Sequence, residues 1–170
     1  MNQMMQYHPL PKPSELTERE KEDAMGGYLM MFASIAAGLP LPIVNLIASV
    51  VYYYMNRKKS RFIHFHALQS LLTQIPISLG NAILVFSSIN LFIVQEVNSV
   101  PDGFIVLAST VALINLLYFI FSIVAAIRAR KGRMYYFVFF GKWCYEKIYS
   151  TTANWHYSEE PENDVNLPPS

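Results

Sequence analysis

Three long stretches without a charged side chain set the pattern of this sequence. They run from residue 26 to 55, from 67 to 95 and from 103 to 127. A helix needs roughly 20 mostly apolar residues to cross a bilayer, and each stretch is at least that long. A core helix of a soluble protein would show one apolar and one polar face, which these stretches do not. The pattern therefore predicts an all-α integral membrane protein.

Capping and turn signals divide the chain into a leader, a helical domain and a tail. Thr17 and Glu20 have the spacing of a capping box, which predicts a helix start at residue 18. Pro40 and Pro42 each remove a backbone donor and end that helix near residue 38. An aromatic segment after the last long helix is too short to span and is expected at the membrane interface. The predicted parts are a flexible leader 1–16, a membrane domain 17–149 with helices at about 18–38, 43–57, 66–94, 103–130 and 134–149, and an acidic disordered tail 150–170.

The two prolines leave two topologies open. A short hairpin with its tip at the prolines gives four segments and places every Lys and Arg on one side of the membrane. A single kinked span over 25–55 gives three segments and leaves three cations on the other side. Cytoplasmic loops are enriched in Lys and Arg, which favours the hairpin with both termini in the cytoplasm. Each hairpin arm has about 15 apolar residues, or roughly 22 Å of helix, which is short for a hydrocarbon core of roughly 30 Å.

Composition narrows the classes of function. Charged residues make up 15% of the chain, against roughly 25% in soluble proteins, and the net charge of +1 gives no reason to expect nucleic acid. The single cysteine, Cys144, excludes an internal disulfide and a cysteine-based metal site. The sequence shows no catalytic triad, metal cluster or phosphate-binding glycine loop. We therefore expect no enzyme activity, no metal site and no cofactor.

Amides are the notable polar side chains inside the apolar stretches. None of these stretches contains Asp, Glu, Lys, Arg or His, although proton-coupled transport usually needs such groups in the membrane. Asn81 and Asn115 lie near the middle of their segments, so antiparallel helices would bring them to the same depth. One interpretation is contact between helices, worth roughly 0.6 kcal/mol per bond, and the other is a polar solute path. The candidate interhelical residues are Asn45, Gln74, Asn81 and Asn115.

Cations cluster between the first and second apolar stretches and again after the third. Cations at a membrane surface attract anionic head groups by about 1 kcal/mol each. His64 and His66 are two residues apart and point in different directions on a helix, so they form a poor metal pair. The candidate head-group contacts are Arg57, Lys58, Lys59, Arg61, Arg128, Arg130, Lys131 and Arg133.

Several motifs together resemble a known family. They are Glu18-Arg19, Pro42-x-x-Asn45, Lys58-Lys59-x-x-Phe62-Ile63-x-Phe65-His66-Ala67-Leu68-Gln69 and Ala125-Ala126-Ile127-x-Ala129-x-Lys131-Gly132. In this order they resemble the Tic-twenty-like family of small bacterial membrane proteins, a family of unknown function that is distantly similar to the chloroplast inner-envelope import component. The resemblance covers about residues 17–142 and implies four helical membrane segments in a bacterial inner membrane.

The motif nominates four candidate interaction residues, Phe62, Phe65, His66 and Gln69. We expect the two phenylalanines to anchor at head-group level, and His66 and Gln69 to cap a helix start or bridge helices. These residue types would serve either to fix the start of a helix or to form a surface that binds a partner.

Two hypotheses for the function follow. The first is a non-enzymatic multi-pass membrane protein that binds other membrane proteins or copies of itself, for example as an accessory factor in translocation or assembly. The second is a small oligomeric transporter or channel that uses the amide face. The expected partners are the bilayer with its anionic lipids and other membrane proteins.

Overall fold

The regular elements of the chain are helical throughout the part that the structure describes. The structure is a computed structural model and describes residues 7–33, 42–95, 99–152 and 155–157. Its one extended pairing in that part is an isolated bridge between Tyr7 and Ser150. The predicted all-α class is confirmed. The helices are α1 Glu18–Leu29, a 3-10 turn Met30–Phe32, α2 Pro42–Asn56, α3 Arg61–Ile89 with a π-helical extension Asn90–Val94, α4 Asp102–Arg130 and α5 Gly141–Tyr149.

The first helix starts at its predicted capping box, and a 3-10 turn follows it. The Glu20 amide donates to the Thr17 hydroxyl at 3.1 Å, and the Thr17 amide donates to Glu20 Oε2 at 2.8 Å. Helix α1 ends at Leu29, where the backbone tightens into the 3-10 turn. The predicted continuation to residue 38 and the tip at Pro40 lie beyond residue 33, outside the described residues.

Helices α1 and α2 run antiparallel. The Tyr52 hydroxyl near the end of α2 donates to the Asp23 carbonyl near the start of α1 at 2.7 Å. Lys59, just after α2, pairs with the Asp23 carboxylate at 2.6 Å. A single kinked span would place residues 23 and 59 at opposite ends of a long helix, so these contacts show that the chain reverses direction between α1 and α2, as the hairpin alternative requires. Gly26 makes the close approach possible, because the Tyr52 hydroxyl occupies the space of a side chain there.

Helix α3 begins five residues before its predicted start at residue 66. Ser60 is its N-cap, and the Ser60 hydroxyl accepts from the Ile63 amide at 3.4 Å. Side-chain capping of this kind offsets the unpaired amides of a first helical turn. Residues 61–65, predicted to be loop, therefore belong to the helix.

The aromatic segment predicted as a helix over 134–149 is helical only from Gly141 to Tyr149. Helix α4 ends in a Schellman motif, in which the Gly132 amide donates to Ala129 and the Arg133 amide to Arg128, both at 2.9 Å. Gly132 has φ 69° there. Residues 133–137 then run without helical bonds, because the Tyr135 carbonyl and the Phe137 amide bond to the Gln69 side chain instead.

The described parts of the predicted leader and tail pack on the helices. The His8 amide donates to the Tyr149 carbonyl at 2.7 Å. Leu16 is buried in a cluster with Tyr28, Phe62 and Ala125, so part of the predicted leader contacts the helices. On the tail, the Tyr157 hydroxyl bonds to His64 Nδ1 at 3.0 Å. Residues 158–170 lie outside the described part of the chain.

The two ends of the bundle differ in packing. The core sits at one end, formed by residues 7–28, 53–70, 125–152 and 155–157, which we call the cap. All 13 Lys and Arg of the chain lie in the cap. Two helices extend beyond the cap, and these helices, Arg61–Val94 and Asp102–Arg130, are long and apolar enough to cross a membrane. Their outer side chains are exposed, as at Leu79, Phe86 and Val106.

The turn at Gly132 generates the first prediction. A Gly132→Ala change puts a side chain at positive φ, where its Cβ would lie 3.0 Å from the Pro13 Cα. Strain of this kind costs about 1–3 kcal/mol, and we expect thermal unfolding in detergent to show that loss of stability. Gly80→Ala is the matched control, since no atom lies within 4 Å of its added Cβ. Equal melting temperatures for the two variants would contradict the prediction.

Candidate functional site: the buried polar groups of the bundle

The start of α3 is the most enclosed segment of the described chain. Every residue from 62 to 70 is buried. Phe62 is 1% exposed and Phe65 is 0% exposed, so the expectation that these two rings anchor in the head groups is wrong. The rings are covered because α3 begins at residue 61 and α1, α4 and the segment 133–149 close around its first turns. Phe65 packs edge-on against Tyr136 and Tyr149, with centroid distances of 5.5 and 6.4 Å.

Gln69 joins three parts of the cap through one side chain. Its Nε2 donates to the Tyr28 hydroxyl on α1 and to the Tyr135 carbonyl, each at 2.8 Å. Its Oε1 accepts from the Phe137 amide at 3.2 Å. The side chain is 0% exposed. Helix α1, helix α3 and the segment 133–137 are therefore held in register by a buried amide.

His66 extends the same network. Its Nδ1 lies 2.9 Å from the Tyr28 hydroxyl. Because that hydroxyl accepts from Gln69, its own proton is directed at Nδ1, which places the histidine proton on Nε2. His66 Nε2 has no hydrogen-bond partner in the described part of the chain, and the Phe62 and Phe65 rings flank the imidazole at 4.6 and 5.1 Å. The geometry suits an internal packing group.

His64 contacts residues 155 and 157 of the tail, and its hydrogen-bond partners differ from that of His66. The Tyr53 hydroxyl lies 3.2 Å from His64 Nε2, and the Tyr157 hydroxyl lies 3.0 Å from Nδ1. The Trp155 ring packs edge-on at 4.6 Å. Across the described ranges, no group of three His, Cys, Asp or Glu side chains is placed to hold one metal ion.

The four candidate amides of the membrane segments line one cavity. Asn81 and Asn115 exchange two hydrogen bonds, of 3.0 and 2.8 Å, between α3 and α4. Closer to the cap, the Tyr118 hydroxyl donates to Gln74 Oε1 at 2.7 Å. With Asn45 on α2, these residues line a cavity of about 230 Å³ whose wall is completed by Met31, Phe32, Ile77 and Phe119.

Several of the candidate head-group cations have partners within the chain. Lys59 pairs with Asp23, and Arg130 lies 2.6 Å from Glu18 and 3.2 Å from Glu22. The Arg130 guanidinium holds the pKa of the Glu18 carboxyl below its usual range. The Arg57 guanidinium lies 4.6 Å above the Tyr54 ring, and Lys58 and Arg61 also have partners. Three cations at the end of α4 are exposed, namely Arg128, Lys131 and Arg133.

Tyrosine hydroxyls are the functional groups that sequence reasoning missed. Tyr118 carried a usable signal, because it lies three residues after Asn115 and four before Ser122 on the same helical face. Tyr28 carried none, because its partner Gln69 is 41 residues away. Tyr53 was missed for the same reason, since its partner His64 belongs to the next helix.

Comparison with known protein families identifies the family of this chain. A family model described as the magnetosome magnetite crystal formation protein family, MamF/MmsF, matches residues 23–144. The match spans well over half of the 170 residues. The chain belongs to the MamF/MmsF family. No curated protein and no solved structure matches it.

The MamF/MmsF match corrects the earlier resemblance. The matching model is not that of the Tic-twenty-like family, so that identification is wrong. The residues that suggested it, Phe62 to Gln69, are all buried. A motif made of packing residues reports a fold more directly than it reports a function. Membership of MamF/MmsF and the two long apolar helices together support the predicted membrane location.

The Gln69 network generates the second prediction. Replacing Gln69 with Leu leaves the Phe137 amide and the Tyr135 carbonyl buried without their partner. An unsatisfied buried group costs about 1–3 kcal/mol, so Gln69→Leu should lower the free energy of unfolding by at least that amount. Hydrogen exchange at the Phe137 amide should accelerate in parallel.

The control for this prediction is Gln95→Leu, because Gln95 is exposed and bonds only Asn90 among the side chains of the described chain. The two variants make the same chemical change in different surroundings. If Gln69→Leu were no less stable than Gln95→Leu, the network would not hold the cap together.

Proposed function

We propose that this protein is a non-enzymatic integral protein of the magnetosome membrane, and that it acts in magnetite crystal formation by binding other membrane proteins or further copies of itself. The family description supplies the process. The observation that carries the proposal is the mutual pairing of Asn81 and Asn115. This pairing uses the central polar groups of the membrane segment to join α3 to α4, while the outer apolar surface stays available to lipid and to partners.

The distribution of charge supports an orientation for the protein. All 13 Lys and Arg belong to the cap, and cytoplasmic segments of membrane proteins are enriched in these residues. The cap then faces the cytoplasm, with both ends of the chain on the same side. Helix α1 belongs to the cap, and the apolar stretch Ile43–Asn56 of α2 is shorter than the two spanning helices.

The buried hydrogen bonds of the cap support a binding role over a catalytic one. Its buried polar side chains hold helices and loops together: Gln69 bonds Tyr28 and the backbone of residues 135 and 137, and Ser70 bonds the Gly27 carbonyl at 2.6 Å. Groups used in this way give a rigid platform on which exposed residues of the same end can contact a partner.

A test of the proposal uses cells that form magnetite. Deleting the gene should change the size or number of the crystals seen by electron microscopy, and the wild-type gene should restore them. The Gln69→Leu gene should restore them less well, and Gln95→Leu should restore them fully. Purification in mild detergent should yield the protein with a stoichiometric membrane partner or as a homo-oligomer. Unchanged crystals in the deletion strain would overturn the proposal.

A second candidate function is a small oligomeric channel. The cavity of about 230 Å³ between α2, α3 and α4 favours it, because four amides form part of its wall and a space of this size with polar partners can hold several water molecules. In a channel, the Asn81–Asn115 pair would have to open for solute to pass.

Substitution of the amide pair separates the two candidates. As a helix-to-helix contact, the pair should show a coupling of about 0.6–1.7 kcal/mol in a cycle of Asn81→Leu, Asn115→Leu and the double variant. The double variant removes both amides and should therefore lose less stability than the two single losses added together. Ion and solute flux through proteoliposomes should be the same for all four proteins. Flux that falls with either substitution would favour the channel.

A further inference from the structure

The turn between the extended segment and α5 presents two large apolar side chains to the surroundings. Val138 is 88% exposed and Phe139 is 85% exposed, more than any other large apolar residue of the described chain. Neighbouring residues in the same segment, Tyr135 and Phe137, are partly buried against the core. An exposed apolar tip on an otherwise packed element marks a surface that another apolar phase covers.

The position of this turn along α3 is fixed by contacts on both sides of it. Before the turn, the Phe137 amide bonds the Gln69 side chain at 3.2 Å. At its end, Phe140 packs on the cluster that contains Leu68 and is also flanked by Leu71 and Leu72. The turn therefore lies level with residues 69–72 of α3.

At that level, the side chains of α3 change from buried to exposed. Residues 62–70 are buried by the cap, whereas Ile75 is 44% and Leu79 is 61% exposed. The exposed apolar surface of the spanning segment thus begins within about one helical turn, or roughly 5 Å, of the Val138–Phe140 level. The tip of the turn therefore lies close to the level at which the exposed apolar surface of α3 begins.

The residues that follow the turn suit the head-group layer. Trp143 on α5 is 46% exposed, and the Lys147 ammonium lies 4.7 Å above its ring. Lys142 has an 87% exposed side chain and a loose contact of 3.8 Å with Glu146. Tryptophan favours the membrane–water boundary, and lysines are attracted to anionic head groups. Apolar residues followed by Trp and Lys are typical of segments that lie in an interface.

We propose that the Val138–Phe140 turn inserts into the leaflet next to the cap, with Trp143 and Lys142 at head-group level, and so fastens the cap to the membrane that α3 and α4 cross. This proposal rests on the membrane location given under the proposed function. Two observations select the bilayer as the occupant: the turn lies near the level at which the exposed apolar surface of α3 begins, and lysines follow it in the sequence. Insertion of the turn would orient the cap. The reason is that Gln69 bonds residues 135 and 137, which precede the turn, and also bonds Tyr28 on α1.

Site-directed labelling in vesicles of phosphatidylcholine and phosphatidylglycerol tests the insertion. A Val138→Cys chain receives an environment-sensitive fluorophore, with Leu79→Cys as the lipid reference and Lys12→Cys as the water reference. The native chain gives the background, since Cys144 is 0% exposed and burial raises the pKa of its thiol to about 12. A lipid-borne quencher should reduce the emission from position 138 several-fold more than from position 12, and by nearly as much as from position 79.

The reference positions separate the two proposals. If position 79 is not quenched from the lipid, the membrane location itself fails. If position 79 is quenched from the lipid while position 138 responds only to iodide in the water, the chain spans the membrane and the insertion of the turn is overturned. In that case the exposed tip would be a surface for a protein partner.

A second measurement does not depend on labelling. The double change Val138→Asp and Phe139→Asp alters side chains that make little contact with the core, so melting in detergent should be unchanged. In vesicles, the amides of residues 141–149 should exchange several-fold faster than in the native chain, and Phe139→Leu should leave their exchange at the native rate. Native exchange in the Asp variant would overturn the insertion.

Discussion

The cap depends on one constraint: the Gln69 amide is fully buried and must find all its hydrogen bonds inside the protein. It does so by bonding Tyr28, the Tyr135 carbonyl and the Phe137 amide. Leaving any of these groups unpaired away from water would cost more than the bond itself contributes. The constraint keeps residues 133–137 extended, sets the depth of the turn that follows them and fixes α1 beside α3. The start of α5 and the closure over Phe65 follow from that path.

Different forces hold the two ends of the bundle together. In the cap, aromatic and aliphatic side chains leave water, and this burial supplies the main stabilisation. In the spanning part, lipid is as apolar as the side chains, so burial between helices contributes little and hydrogen bonds and close packing matter more. The two hydrogen bonds between Asn81 and Asn115 and the hydrogen bond from Tyr118 to Gln74 act there. This division explains why the buried residues concentrate in the cap while the outer surfaces of α3 and α4 stay exposed.

The motif from Phe62 to Gln69 shows how a sequence signature can be informative and still mislead. Its residue types are constrained because each side chain is enclosed. Phe62 and Phe65 fill the core, His66 accepts a hydrogen bond from the Tyr28 hydroxyl, and Gln69 joins three segments. Such constraints identify a way of packing a helical hairpin against a cap. They assign neither family nor process, and in this chain the match over residues 23–144 supplied the family.

The sequence by itself determined the features that depend on neighbouring residues or on charge. These are the all-α class, the two long apolar helices, the capping box at Thr17, the common depth of Asn81 and Asn115, and the clustering of the cations. The hairpin topology then places all these cations on one side of the membrane. The tertiary structure alone decided the reversal of the chain between α1 and α2, the early start of α3, the burial of Phe62 and Phe65, and the non-helical course of residues 133–137. The physical reason is that local periodicity and capping act over a few residues. The partners of a buried polar group, such as Tyr28 and Phe137 for Gln69, are 41 and 68 residues away and are chosen only when the chain packs.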